Sequence, residues 1–236
     1  MAKTSFSAYA GAASENLLSR RWGGKTAIAE PAVSGYHFIR FSGLPNDLNN
    51  YIPSGIGGEA VDILSAACLS VTPPGGTLSK VEFTGLGGVK FATPGQLDMG
   101  NSVSIKFLEF SGLPILQIMH GWVKMMRDYR TGIASSETSG TLYKKSNYAA
   151  TLFYWTTTPN VTEVEYAACY DGVFPLKDPQ DLFSSDVETV GRIDTEIEFN
   201  VDYAWHEPWV NSKCEGYAQE VSAYASGIVN EYGSNY

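Results

Sequence analysis

The stretch 192-RIDTEIEFNVDYAW-205 alternates almost without a break. Ile193, Ile197, Phe199, Val201, Tyr203 and Trp205 fall on one side of an extended chain, because successive strand side chains point to opposite faces. Asp194, Glu196, Glu198 and Asp202 fall on the other, with Asn200 among them. Such a period reads as a long strand buried on one face only. Four like charges along the second face repel one another, so the surroundings of that face must suit acids.

Upstream, the same reading finds further strands. A first is expected over 33-VSGYHFIRF-41, closed by the turn 42-SGLPND-47, and residues 48–60 form a glycine-rich loop. A second is expected in 61-VDILSAACLSV-71, stopped by 72-TPPGG-76, since proline cannot donate to a sheet ladder. The segment 77–110 holds short β runs with glycine breaks. Val103, Ile105 and Phe107 alternate there with Ser102, Ser104 and Lys106, and the turns GLGG and TPGQ suggest a long projecting hairpin over about 85–107. Strands follow in 148-YAATLFYWTT-157 and 161-VTEVEYAACY-170, then a connection rich in Pro and Asp over 171–188.

One segment changes period. In 113-LPILQIMHGWVKMMRDYRTG-132, Ile115, Ile118, Met119, Trp122, Val123 and Met126 recur at helical spacing, with Pro114 at the first turn and Gly132 past the end. The spacing predicts a helix over about 114–130 whose late Lys124, Arg127 and Arg130 suit the helix dipole. A short helix is expected around 217–229 in the tyrosine-rich, acidic tail 206–236. FSGLP occurs at 41–45 and again at 110–114, too short a match to define a repeat.

With 236 residues, 44% hydrophobic and 17% charged, the chain can bury a sizeable core, and 24 glycines with 13% aromatics favour a β-rich fold. The net charge of −9 argues against binding nucleic acid through clustered Lys and Arg. Cys68, Cys169 and Cys214 are odd in number and widely spaced, which fits a reduced protein without a zinc site and leaves an inter-subunit disulfide through Cys68 or Cys214 open. No apolar leader and no run of 18 apolar residues is present, so no membrane anchor is expected.

Catalytic constellations are missing. His37, His120 and His206 fall on a strand, a helix and a loop, and none has a metal-ligand partner at i+2 to i+4. GLGG at 85–88 lacks the strand–loop–helix setting of a nucleotide site and reads as turn glycine. Asn160-Val-Thr fits a glycosylation pattern by chance. We therefore expect no catalytic, metal or cofactor residues.

Taken in order, a series of segments resembles the tail tube proteins of contractile-tailed bacteriophages. They are the early strand with Tyr36, Phe38 and Phe41; 68-CLSVTPPGG-76; the hairpin 88-GVKFATPGQLDMGNSVSIKF-107; the Trp-containing helix; 143-YKKSNYAATLFYW-155; 171-DGVFP-175; and the closing 196-EIEFNVDYAW-205. The likeness lies in the series, across roughly residues 33–205. It implies a mainly β fold, a sandwich or small barrel with one flanking helix, preceded by an arm at 1–32 and followed by an extension at 206–236. It further implies a homo-hexamer ring whose joined inner sheets line a channel, with rings stacked into a tube through which DNA leaves the capsid. Expected partners are the tail sheath, baseplate and tail terminator proteins, with tape-measure protein and DNA transiently in the lumen. The expected place is the virion tail, assembled in the host cytoplasm.

On that resemblance Asp194, Glu196, Glu198 and Asp202 become candidate channel-lining residues. An acidic wall cannot hold phosphates, and with a Debye length of about 8 Å at physiological salt it repels DNA only at close approach. The plainer alternative is that these acids face solvent, some paired to Lys106, Lys80 or Lys90. Gly88, Lys90, Pro94, Gly95, Gln96 and Asp98 mark the candidate ring-stacking hairpin, and Lys124, Arg127, Asp128 and Arg130 the candidate sheath-facing side of the helix. Tubes of contractile injection or type VI-like secretion systems share the fold. From another class, 5 Trp, 14 Tyr and the acids would also suit a carbohydrate-binding β-sandwich.

Overall fold

A computed structural model of the chain describes residues 36–85, 88–127, 144–158, 163–179 and 192–233, with side chains to residue 222. These residues belong to one compact unit, Tyr36–Tyr236. The expected arm at 1–32, Asp128, Arg130 and Asn160 lie outside the described residues.

The fold is mainly β. β1 (His37–Ser42) turns Ile39 and Phe41 inward and ends at Gly43, whose φ of 66° suits glycine. A 3-10 turn (Asn46–Asn50), a single helical turn α1 (Ser54–Gly57) and α2 (Ala60–Ala66) follow. Here the expected strand at 61–71 is corrected. Ala60, Leu64 and Ala67 are the buried positions, a helical spacing, and only β2 (Cys68–Thr72) is extended. The glycine-rich 48–60 is likewise largely helical turn.

β3 (Gly76–Thr84) and β4 (Lys90–Met99) form a hairpin at 76–99 rather than 85–107: TPGQ lies within β4, and β5 (Ser102–Leu108) belongs to the main sheet and leads to α3 (Pro114–Met126). Helix α3 stops before Arg127, which is extended, so the helix is shorter than the spacing suggested. β6 (Ala150–Thr157) and β7 (Val164–Pro175) come next. β7 continues through the expected loop start at 171 by bending at Gly172 (φ 73°). The opening stretch splits into β8 (Asp194–Asn200) and β9 (Tyr203–Trp205), and α4 (Pro208–Gly233) closes the chain, longer than the expected 217–229.

Seven strands form one antiparallel sheet in the order β1-β6-β7-β8-β5-β2, with β9 on β7. The bend lets β7 pair with β6 and β9 through its first part and with β8 through Phe174 and Pro175. Both halves of the sheet wrap one core with α3, whose Trp122 ring sits 6.1 Å from Phe41 and 6.3 Å from Phe199. The Trp122 indole N–H donates to the Tyr148 carbonyl at 2.7 Å. The sheet does not close into a barrel, because β1 and β2 remain its edges.

The two halves differ on their outer faces. Phe153, Trp155, Ala167 and Cys169 of β6 and β7 pack under Val210, Cys214 and Tyr217 of α4. Both faces there are covered, which is why these strands read as continuous apolar runs. Among the described residues the outer face of β2, β5 and β8 has no such cover, hence the alternation in β8.

Candidate functional site

On β8 the burial runs as the period requires. Thr195, Ile197, Phe199 and the following Val201 are buried, and Glu196 and Glu198 are exposed. Cross-strand register sets Glu196 beside Lys106 and Glu198 beside Ser104 on β5, with Ser70 and Thr72 of β2 next in the row. The result is a polar sheet face of serine, threonine and acid.

Its cations are both engaged at one end. Arg192 binds Asp194 through two nitrogens, at 2.7 and 2.9 Å, and Lys106 reaches the same carboxylate at 3.1 Å. The hydrogen bond from Arg192, then that from Lys106, hold the Asp194 carboxyl down at about 2. Glu196 accepts a 2.7 Å hydrogen bond from the Ser104 hydroxyl. Among the described residues neither Glu196 nor Glu198 has an ion-pair partner.

Asp202 does not belong to this row. The strand ends at Asn200, and Asp202 turns back over Gly172, where it meets Lys145 at 2.6 Å and the Asn200 amide at 3.0 Å. Burial works to raise its pKa, but the bonds from Lys145 and Asn200 outweigh it, and the group titrates below the usual range. Its backbone N–H donates to the Asp171 carbonyl, and the Asp171 carboxylate accepts from Thr151 and from the Trp205 indole. These bonds seat β9 on β7. Tyr203 and Trp205, expected on the buried side, are 67% and 38% exposed, and Ile193 lies outside the strand at 40%.

The hairpin is the second site. Among the described residues β3 and β4 pair only with each other, and every residue along both is exposed except half-buried Gly95. Leu78, Val81, Phe83, Val89, Phe91, Leu97 and Met99 are each 45–59% exposed. Sequence reasoning named Gly88, Lys90, Pro94, Gly95, Gln96 and Asp98 here and missed the apolar side chains. Gly88 sits at the turn (φ 77°), Lys90 opens β4, and Asp98 lies at the base opposite Thr77. Pro94 pairs with Lys80, and Gly95 and Gln96 build a bulge opposite Ser79, whose hydroxyl donates to the Gln96 carbonyl at 3.1 Å. A Cβ on Gly95 would fall on that hydroxyl and crowd the Ser79 carbonyl at 3.1 Å, so a larger residue there has to displace Ser79. The signal that would have found the patch is the apolar parity of β3, which switches between Leu78 and Val81.

Lys124 on α3 and Arg127 just past it are exposed, on the outer side of a helix whose Ile115, Ile118, Met119 and Trp122 are buried. Gly121 lets α3 approach the Tyr51 carbonyl, which a Cβ would meet at 3.0 Å.

Beside the β1 edge a cavity of about 770 Å³ is lined by Phe38, Ala66, Cys68, Trp155 and Tyr217. Burial pushes the Cys68 thiol up to about 12, so little of it is thiolate at neutral pH. Cys214 is fully buried on the face of α4 that packs on the sheet, which excludes it from a disulfide between folded subunits. His120 meets Asp178 at 3.0 Å, and His206 faces the Tyr166 hydroxyl at 3.4 Å.

No protein-family model matches the sequence, and no curated protein matches it. Solved structures do. The sheath/tube terminator of an extracellular contractile injection system (PVC, extended state) is 14% identical, with a TM-score of 0.45 over 76% of this chain and 98% of that one. The cap that terminates the tube of the anti-feeding prophage is 13% identical, with a TM-score of 0.46 over 78% and 95%. A chain of the six-fold symmetrised baseplate of the anti-feeding prophage is 13% identical, with a TM-score of 0.47 over 75% and 96%. Likeness this distant carries no argument about role.

Proposed function

We propose that this chain is a structural subunit that polymerises into the tube of a contractile tail and conducts nucleic acid without binding it. The observation that carries this reading is the hairpin. A two-stranded ribbon is marginal by itself, and one that leaves seven large apolar side chains in water calls for a covering surface. The ordered series of segments that resembles tail tube proteins supplies the covering partner, another copy. Among the described residues β1 and β2 are the edges of the sheet, and neighbouring copies would complete them, which limits uncontrolled pairing.

The cargo follows from charge. Glu196 and Glu198 have no ion-pair partner among the described residues and are exposed on the sheet face, in a chain of net charge −9. Facing a lumen, such a wall repels polyanions at short range and leaves no phosphate site on which DNA could stall. The outer side of α3, with Lys124 and Arg127, is then available to the sheath.

Negative-stain electron microscopy of concentrated protein, with its elution mass, tests the proposal. Hollow six-fold rings or tubes are expected. A monomer that never assembles when concentrated overturns it and favours a binding module instead.

A further inference from the structure

The apolar side chains of the hairpin do not form one patch. Antiparallel partners share a face, and residues two apart on a strand do too. Val81 and Phe83 on β3, with Phe91 on β4, therefore lie on one face toward the tip. Leu78, paired with Leu97, and Met99, paired with Gly76, lie on the opposite face at the base. On β4 alone, Phe91, Leu97 and Met99 have the same parity and in a regular strand would share a face. The bulge at Gly95 and Gln96 turns the last two over, in step with the switch in β3. Beyond the base patch, toward the tip, that same face is polar, with Lys80 and Glu82 paired at 2.6 Å and Lys90 further on, so it is polar where it backs the tip patch.

Two patches that point in opposite directions and sit about five residues apart, roughly 17 Å along the ribbon, cannot rest on one flat partner. Size points the same way. At about half exposure each side chain leaves on the order of 100 Å² in water. One patch of three or four thus offers roughly 300–400 Å², and only the two together approach the about 800 Å² that one side of a stable interface contributes.

We infer that the hairpin is gripped on its two faces by two different copies of this chain. The base patch, beside the subunit's own sheet, meets a neighbour in the same ring. The tip patch meets a copy in the next ring. This assignment rests on the proposed tube and names the partner of each face.

Two double variants separate the contacts, Phe83→Ser with Phe91→Ser and Leu78→Ser with Leu97→Ser. All four residues are exposed, so circular dichroism and melting are expected to match the parent. The tip variant should yield rings that do not stack, and the base variant should remain monomeric at concentrations where the parent forms tubes. A photo-crosslinking residue at position 83 should label a different peptide set from one at position 78, both in a second copy. Identical assembly defects, one shared labelled surface, or labelling only within the same chain would overturn the inference. If the parent itself never assembles, it is the tube reading that fails; tubes from the parent with indistinguishable variants sink this inference alone.

Discussion

Asp194 and Asp202 have the same charge and parity in one alternating stretch, yet they do unrelated work. Asp194 anchors Lys106 and Arg192 at the margin of the acidic face, and Asp202 folds over Gly172 to hold the β7 bend. Parity was legible in the sequence; the end of the strand at Asn200 was not, because the turn there is made by bonds to Lys145 and Asp171, far away in the chain. The Asp194 carboxyl titrates near 2 because Arg192 and Lys106 favour its ionised form. With a folded pKa below the unfolded one, the associated stabilisation is complete above about 4 and is lost as pH falls through about 2. Replacing Arg192 by Ala should move the Asp194 midpoint up toward the ordinary carboxylate range in an NMR titration. An unchanged midpoint would remove the ion pair as its cause.

Elements were readable wherever one period held across a whole face. β8 and α3 met that condition, since each buries one side and leaves the other in water. β6 and β7 read as apolar runs because α4 covers what would have been their wet face. α2 was misread because Val61, Ile63 and Leu64 suit either structure, and only packing against the sheet chooses the helix. The two FSGLP copies show local sequence doing one job twice: Gly43 and Gly112 both adopt positive φ, and each proline leads into a helical turn. Cover by α4 also has a consequence for the thiols. Burial raises all three thiols to about 12, so access sets their order: Cys169 and Cys214, both buried, should resist alkylation in the native protein, and half-buried Cys68 should react first, though slowly. Val210→Asp places a charge in the seat of α4 and should speed labelling of Cys169 and Cys214 in parallel, by tenfold or more, equivalent to about 1.4 kcal/mol of local opening. Labelling of Cys214 alone would mean that α4 does not lift as a unit.

At the scale of the whole molecule, the sequence resemblance implied a sandwich or small barrel, and the sheet does not close into a barrel. Closure would require β1 to pair with β2, and no pattern within either strand reports whether a distant edge is met or left free. Openness suits a subunit whose edges belong to its neighbours, and it makes the placing of the acidic face testable through charge. Glu196→Lys with Glu198→Lys changes the face by four units in each copy, since each substitution replaces −1 with +1. If the face lines a lumen, tubes of this variant should hold short duplex DNA at low salt, release it as salt rises, and shield it from nuclease. Parent tubes should hold none. DNA that binds the variant but stays open to nuclease would put the face on the outside of the tube, and the acids of β8 would then be a solvated surface rather than a channel wall. Retention that does not weaken with salt would mean that charge is not what holds the DNA, and the argument from repulsion would fail with it.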